Sequence, residues 1–195
     1  FCAAFYKTDH HWNGVGAQRG YEEVVQFLEP TAIPMMPIEE VTLKQPFSGS
    51  KAQGKETSGF SESFTAYRYS HCPMDVIVHG QPMADYGMQE EYLNGLEDEV
   101  SYGLFYGIDW GEIVFDTHRP DLESVLLIGE SYDNAILKLL ANHFDKTVSV
   151  DLRYYEPYMK KPFSLKETME AYEIDKVLLI GNIDFFIADD FILEE

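Results

Sequence analysis

The sequence predicts an α/β protein on a doubly wound, mostly parallel sheet, and three stretches carry that reading. Val125 to Ile128 is a short continuous apolar run that stops at Gly129, as a strand buried on both faces does. After it, Ala135, Ile136, Leu139 and Leu140 fall on one face of a helix, so the chain turns there from strand to helix. The β-rich run TVSVDLR and a second short apolar run, Val177 to Ile180, follow the same plan. Strand, helix, strand, helix, strand in that order predicts right-handed parallel crossovers, with ligands bound at the carboxyl ends of the strands. Ser131, Arg153 and Asn182 all fall at such ends.

The 195 residues, 45% of them hydrophobic, suffice for one sizeable domain with a real core. Fourteen Lys and Arg face 34 Asp and Glu, a net charge of -20. That balance opposes nucleic acid and anionic membrane surfaces as partners. No apolar run approaches a membrane span and no signal segment opens the chain. The chain starts at Phe1 without a methionine and reads as processed or truncated. Cys2 and Cys72 are the only cysteines, which leaves two readings, one bridge or two free thiols. The 13 tyrosines exceed what the core needs, and some can line a groove for an amphipathic ligand such as a sugar.

Near the start, FYKTDHHW sets an acid, two histidines and a tryptophan in a row. In an extended backbone Asp9 and His11 share a side and His10 points away. An Asp beside a His can hold the imidazole in one tautomer and stabilise its charged form, as a general base requires. Two other readings stand beside this one: surface histidines before a helix, and metal ligands, although no second cluster with ligand spacing follows. Asn13 is placed to cap a helix with Ala17, Tyr21, Val24, Val25 and Leu28 along one face. Pro30 ends it, and Pro34 and Pro37 keep the next segment extended toward a strand near Ile38.

Residues 44–63, rich in Ser, Gly and Lys, predict a long surface loop, either a lid or an insertion. FTAYRYS and MDVIVHG read as strands. Asp116 and His118, in VFDTHRP, repeat the spacing of Asp9 and His11, but they precede Pro120 and belong at the amino end of the Val125 strand. Tyr154, Tyr155, Pro157 and Tyr158 are expected in a loop. Ser164 and Glu167 fit a capping box over Leu165, Met169 and Tyr172.

Ser131 itself has two readings. It can be a helix N-cap, or a nucleophile whose hydroxyl faces the N–H groups at a helix start. KTDHHW with the later GESYDN, VDLRYY and KVLLIGN resembles the bacterial DHHW family, from Tyr6 to about Phe186. That family is similar to the SGNH-hydrolase-like alginate O-acetyltransferases.

The resemblance implies a three-layer SGNH/flavodoxin-like sheet with helices on both faces, here as a single domain over 1–195 that lacks its first strands. It implies a triad of Ser131, His11 and Asp9. Asn182, Arg153 and Tyr132 would be oxyanion or substrate-binding residues, with no metal and no cofactor. The expected activity is O-acetyl transfer or ester hydrolysis on an extracytoplasmic or cell-surface polysaccharide, with a membrane-bound partner supplying the acyl group. The alternative is a catalytically silent glycan-binding protein. The oligomeric state is not legible. Glu130, where relatives carry Asp or Thr, departs from the pattern.

Overall fold

A computed structural model describes residues 3–52, 59–84, 86–87, 89–95 and 99–187. Cys2, one end of the considered bridge, lies outside them. The chain divides into two compact units, Phe1–Ser70 with Gly87–Ile108, and His71–Tyr86 with Asp109–Glu195.

In the first unit, helix α1 (Gly14–Leu28) starts where the sequence places it, with the Asn13 side chain accepting from the Gly16 N–H. Tyr21, Val25 and Leu28 form its buried stripe, and the chain leaves the helix before Pro30. Strands β1 (Glu39–Phe47) and β2 (Glu62–Arg68) pair antiparallel. The expected loop over 44–63 is therefore shorter: Lys44 to Phe47 belong to β1, and Glu62 and Ser63 to β2. Phe47 anchors that end of the strand, because its ring is buried against Tyr6 and Phe64. Residues 53–58 of the loop lie outside the described set. Two short helices, α2 (Gln89–Leu93) and α3 (Tyr102–Tyr106), complete the unit. Phe64 of β2 packs on Phe105 and Tyr106 of α3 in a largely aromatic core.

In the second unit, the described residues form a six-stranded sheet. Its strands are β3 (Asp75–Val78), β4 (Gln81–Pro82), β5 (Glu112–Asp116), β6 (Val125–Ile128), β7 (Lys146–Val150) and β8 (Lys176–Leu179), in the order β4-β3-β5-β7-β6-β8. Only β6 with β7 and β6 with β8 run parallel; β3–β4, β3–β5 and β5–β7 are antiparallel. The sheet is mixed, which corrects the mostly parallel expectation. The cause is the path from β3 to β6: β3 turns back directly into β4, and β5 reaches β6 without a helix, so no helical crossover returns these strands to one direction.

The predicted crossover segment stands: β6 leads through α4 (Asn134–Leu140) to β7, then through α5 (Leu152–Met159) and α6 (Leu165–Tyr172) to β8. Because β7 and β8 flank β6, the chain reverses its direction of travel across the sheet at β6, which creates a switch point between the ends of β6 and β8. All four β6 side chains are fully buried, each worth about 1.5–3 kcal/mol of transfer free energy. Leu126 and Ile128 join Val148, Val150 and Tyr155 in a cluster with Leu165 and Met169 of α6 packed against it.

Two expectations fail here for identifiable reasons. Tyr154 to Tyr158 is helix α5, not loop, because Asp151 caps it by accepting from the Arg153 N–H. Pro157 stands in its last turns, where the helix is already ending. Strand β8 is not buried: among the described residues β6 is its one neighbour, so it forms the sheet edge, and Val177 and Leu179 are exposed. A short helix α7 (Ile183–Ile187) follows. No helix among the described residues is long and apolar enough to cross a membrane.

Candidate active-site halves

In the first unit, Phe5 and Trp12 bridge antiparallel and the Tyr6 N–H donates to the His11 carbonyl. The residues between them are therefore folded into a tight loop. Within it Asp9 Oδ1 accepts from the His11 backbone N–H at 2.9 Å and lies 2.5 Å from His11 Nδ1. The other oxygen, Oδ2, accepts from the Ser50 N–H at 2.7 Å. Both residues are buried. Burial pushes the Asp9 carboxyl up, but the bonds from His11 and Ser50 outweigh it and hold the group well below the usual carboxylate range.

The His11 ring stacks on Tyr102, with centroids 4.2 Å apart and planes 11° from parallel. Gly49 makes the approach of residue 50 feasible, since a Cβ there would overlap the Asp9 carboxyl. The Ser-Gly-Ser start of the loop thus orients Asp9, a role for which the sequence carried no spacing signal.

His10 does not point away. Its ring centroid is 3.8 Å from that of His11, and Nδ1 is 2.7 Å from Ser50 Oγ and 3.6 Å from Asp9 Oδ1. The alternation of an extended strand does not apply to a tight loop. Asp9, His10 and His11 each offer a ligand atom, all within 4.8 Å of one another, and could hold a metal ion. With both Asp9 oxygens already accepting N–H bonds, the arrangement is better suited to fixing an imidazole tautomer, with Nδ1–H on the carboxylate and the ring's lone pair on Nε2.

In the second unit, the Asp133 N–H donates to the Glu130 carbonyl at 2.8 Å, closing a four-residue turn in which Ser131 and Tyr132 are the corner positions. The cap position of α4 is Asp133, not Ser131. The N-cap reading of Ser131 is thereby removed: its half-buried hydroxyl lies before the helix, 3.5 Å from Glu130 Oε2.

Glu130 is buried and organises the switch point. Its Oε1 accepts from both the backbone N–H and the side-chain amide of Asn182, each at 3.0 Å, and the Asn182 Oδ1 accepts from the Phe185 N–H at the start of α7. Arg153 lies over the adjacent strand end. Its Nη2 is 2.6 Å from Asp151 Oδ2 and 3.1 Å from Asp109 Oδ2, and its Nη1 is 3.9 Å from Glu130 Oε2. Asn134 Nδ2 donates to the other Asp109 oxygen. The Asp133 carboxyl is buried, and burial together with Asp151, Asp109 and Glu130 pushes its pKa well up, with Arg153 opposing.

Ser131, Arg153 and Asn182 thus share one edge of the sheet, as their positions after β6, β7 and β8 implied. Tyr132 is half-buried in the same turn. What sequence reasoning missed is the carboxylate set beneath them, although the Asp-x-Arg spacing of Asp151 and Arg153 was a usable signal. The rival pair falls at the opposite edge of this sheet: Asp116 is paired with Lys146 at the start of β7, and exposed His118 Nε2 is 2.8 Å from Asp75.

No family model and no curated relative matches the sequence. Solved structures do match in fold. Bacillus cereus PatB1 aligns over 99% of this chain and 67% of its own at TM-score 0.72 and 20% identity. PatB1 with a sulfonyl adduct aligns over 100% of this chain and 64% of its own at the same score and identity. A DHHW family protein from Eubacterium siraeum aligns over 99% of this chain and 65% of its own at TM-score 0.73 and 16% identity. The chain spans about two thirds of the length of these proteins. It therefore shares its α/β fold with a DHHW family protein and with PatB1.

Proposed function

We propose that this chain catalyses serine-dependent acyl transfer or ester hydrolysis on an extracytoplasmic polysaccharide, as part of a three-layer SGNH-like domain with helices on both sheet faces. The observation that carries the reading is the buried Asp9–His11 pair with Oδ1 2.5 Å from Nδ1, because a His held in that tautomer presents Nε2 as a base. Ser131, at a turn after a buried strand, is the nucleophile. PatB1 with its sulfonyl adduct adds weight, since sulfonyl electrophiles are captured by activated nucleophiles.

In the proposed cycle His11 takes the Ser131 proton as Oγ bonds to the acyl carbonyl carbon. The Ser131 N–H, with Asn182 as the second donor, stabilises the oxyanion. The donor C–O bond breaks, and its oxygen leaves with the proton from His11. Water or a sugar hydroxyl then attacks the acyl-enzyme carbonyl as its proton passes to His11, and the acyl–Oγ bond breaks with that proton returning to Ser131, giving an esterase in the first case and a transferase in the second. Arg153 and Tyr132 contact the substrate. A membrane-bound partner supplies the acyl group when the acceptor is a sugar.

Turnover of p-nitrophenyl acetate or an acetylated oligosaccharide tests this. Ser131→Ala is expected to lose on the order of a thousandfold or more, and a serine-directed phosphonate should label Ser131. Unchanged turnover in that variant refutes the mechanism.

A further inference from the structure

The second unit carries a cluster of aromatic rings that neither its core nor the proposed reaction uses. Tyr154 and Tyr158 lie one turn apart on α5 and face outward, 38% and 46% exposed, while Tyr155 between them is buried in the core. Trp110 is half-buried beside them, its ring centroid 6.0 Å from that of Tyr158. His79 stacks on one face of Tyr158 at 4.4 Å and 19°, and the Arg153 guanidinium covers one face of Tyr154 at 5.3 Å. Each tyrosine is thus braced from one side and exposed on the other.

The bracing is built in. His79 is held at φ 48, and its Nε2 accepts from the Gly111 N–H at 3.0 Å. Burial lowers its pKa, which keeps the accepting imidazole neutral. Gly111 seats Trp110 against α5: a Cβ there would come within 2.7 Å of the Tyr154 carbonyl oxygen and 2.9 Å of the Tyr155 Cα. Among the described residues, no protein group takes the Trp110 indole N–H or the Tyr154 and Tyr158 hydroxyls. A rigid set of aromatic faces with uncommitted donors at the rim suits a ligand with flat apolar C–H faces and peripheral hydroxyls, which describes a pyranose ring.

We propose that Trp110, Tyr154 and Tyr158 form a stacking platform for a neutral oligosaccharide, the acceptor or product chain of the reaction at Ser131. The inference rests on the acyl-transfer reading for that role. The platform joins the Ser131 turn through Arg153, which lies in the first turn of α5 and whose Nη1 is 3.9 Å from Oε2 of Glu130, the residue before the serine. Charge selects the glycan. Asp109, Asp151 and Glu130 engage the one nearby guanidinium, and the chain as a whole carries -20, so a polyuronate meets like charge while a neutral chain does not.

Saturation-transfer NMR with a β-linked N-acetylglucosamine hexamer and a uronate hexamer tests the platform. The neutral hexamer is expected to receive saturation from the protein and to perturb the Trp110 indole N–H resonance. Tyr154→Ala and Tyr158→Ala should each weaken its binding about tenfold, roughly the loss of one aromatic contact, at an unchanged melting temperature. The uronate hexamer should bind at least tenfold more weakly than the neutral one. Wild-type affinity in both folded variants, or tighter binding of the uronate, overturns the proposal.

If an alanine variant melts early, the wild-type Trp110 resonance decides alone: a shift on adding neutral hexamer supports the platform, and its absence overturns it. Ser131→Ala separates the two readings. It is expected to bind the hexamer as wild type does while losing turnover, so wild-type binding by the platform variants, which overturns the platform, and unchanged turnover in Ser131→Ala, which overturns the acyl-transfer reading, are distinct failures.

Discussion

Asp9 Oδ1 lies 2.5 Å from His11 Nδ1 and also accepts the His11 backbone N–H, so one carboxylate oxygen fixes both the position and the tautomer of the imidazole. Asp9→Asn keeps the shape but removes the charge that favours Nδ1–H. In a serine mechanism it should lower kcat by roughly a hundred- to ten-thousandfold with little change in KM, measured on p-nitrophenyl acetate.

The same pair makes a stability prediction. The folded-state pKa of Asp9 is depressed, so its contribution is fully present above the ordinary carboxylate range and is lost as pH falls through the folded value. Wild type should lose melting temperature below about pH 4, and Asp9→Asn should lose less over that interval. An equal acid slope in both proteins would falsify the assignment of that loss to Asp9.

Glu130 ties together the strand ends of the second unit. Removing its carboxylate in Glu130→Ala leaves the Asn182 N–H and amide without the acceptor they share. That should cost about 1–3 kcal/mol and lower the melting temperature by several degrees. Glu130→Gln, which keeps an acceptor oxygen, should recover most of the loss. Equal melting of the two variants would mean that Glu130 acts through its bulk alone.

The order β6, α4, β7, α6, β8 was legible because Val125 to Ile128 is apolar throughout, α4 carries a 3.6-residue pattern, and α6 carries both that pattern and the Ser164 cap. The antiparallel strands β3 and β5 were not placed, since period-two patterns do not encode which neighbour a strand takes. Asp9 with His11 was legible as a two-residue spacing, and Ser131 as the second residue after the glycine that ends a buried strand. Ser50, which holds Asp9 from more than forty residues away, was not, because a backbone N–H donor leaves no mark in residue identity. The α5 helix was misjudged for a related reason: Pro157 is visible in the sequence, but its harmless place near the helix end is set by where Asp151 starts the helix.

His71 supplies a separate pH signature. Burial pushes its pKa down from 6.5 to about 4, and the Lys138 charge acts in the same sense. Hydrogen bonding requires the neutral ring as well: the Asn142 Oδ1 accepts from the Cys72 N–H, so its Nδ2 faces His71 Nδ1 as a donor at 2.9 Å. The unfolded chain binds the proton first, so stability should fall as pH drops from about 6.5 toward 4. His71→Gln, which can still accept from Asn142, should flatten that part of a melting-temperature profile. An unchanged slope would assign it to other groups.

Arg153 gives the prediction with the clearest sign. Its guanidinium contacts Asp151 and Asp109 and stands 3.9 Å from buried Glu130, while Asp133 lies in the same carboxylate set. Arg153→Met keeps much of the stem and deletes the charge, leaving Asp151 and Asp133, which burial already disfavours as anions. Because the Arg153 side chain is 39% exposed, the loss at pH 8 should be roughly 1–3 kcal/mol rather than that of a fully buried pair. Burial raises the Asp151 pKa even with Arg153 present, and without Arg153 it should rise further. Acidification then protonates Asp151 and Asp133 and removes their repulsion, so urea unfolding should show the variant much closer to wild type at pH 4.5 than at pH 8. A penalty of the same size at both pH values would show that Arg153 holds this edge of the sheet by packing its stem, not by its charge.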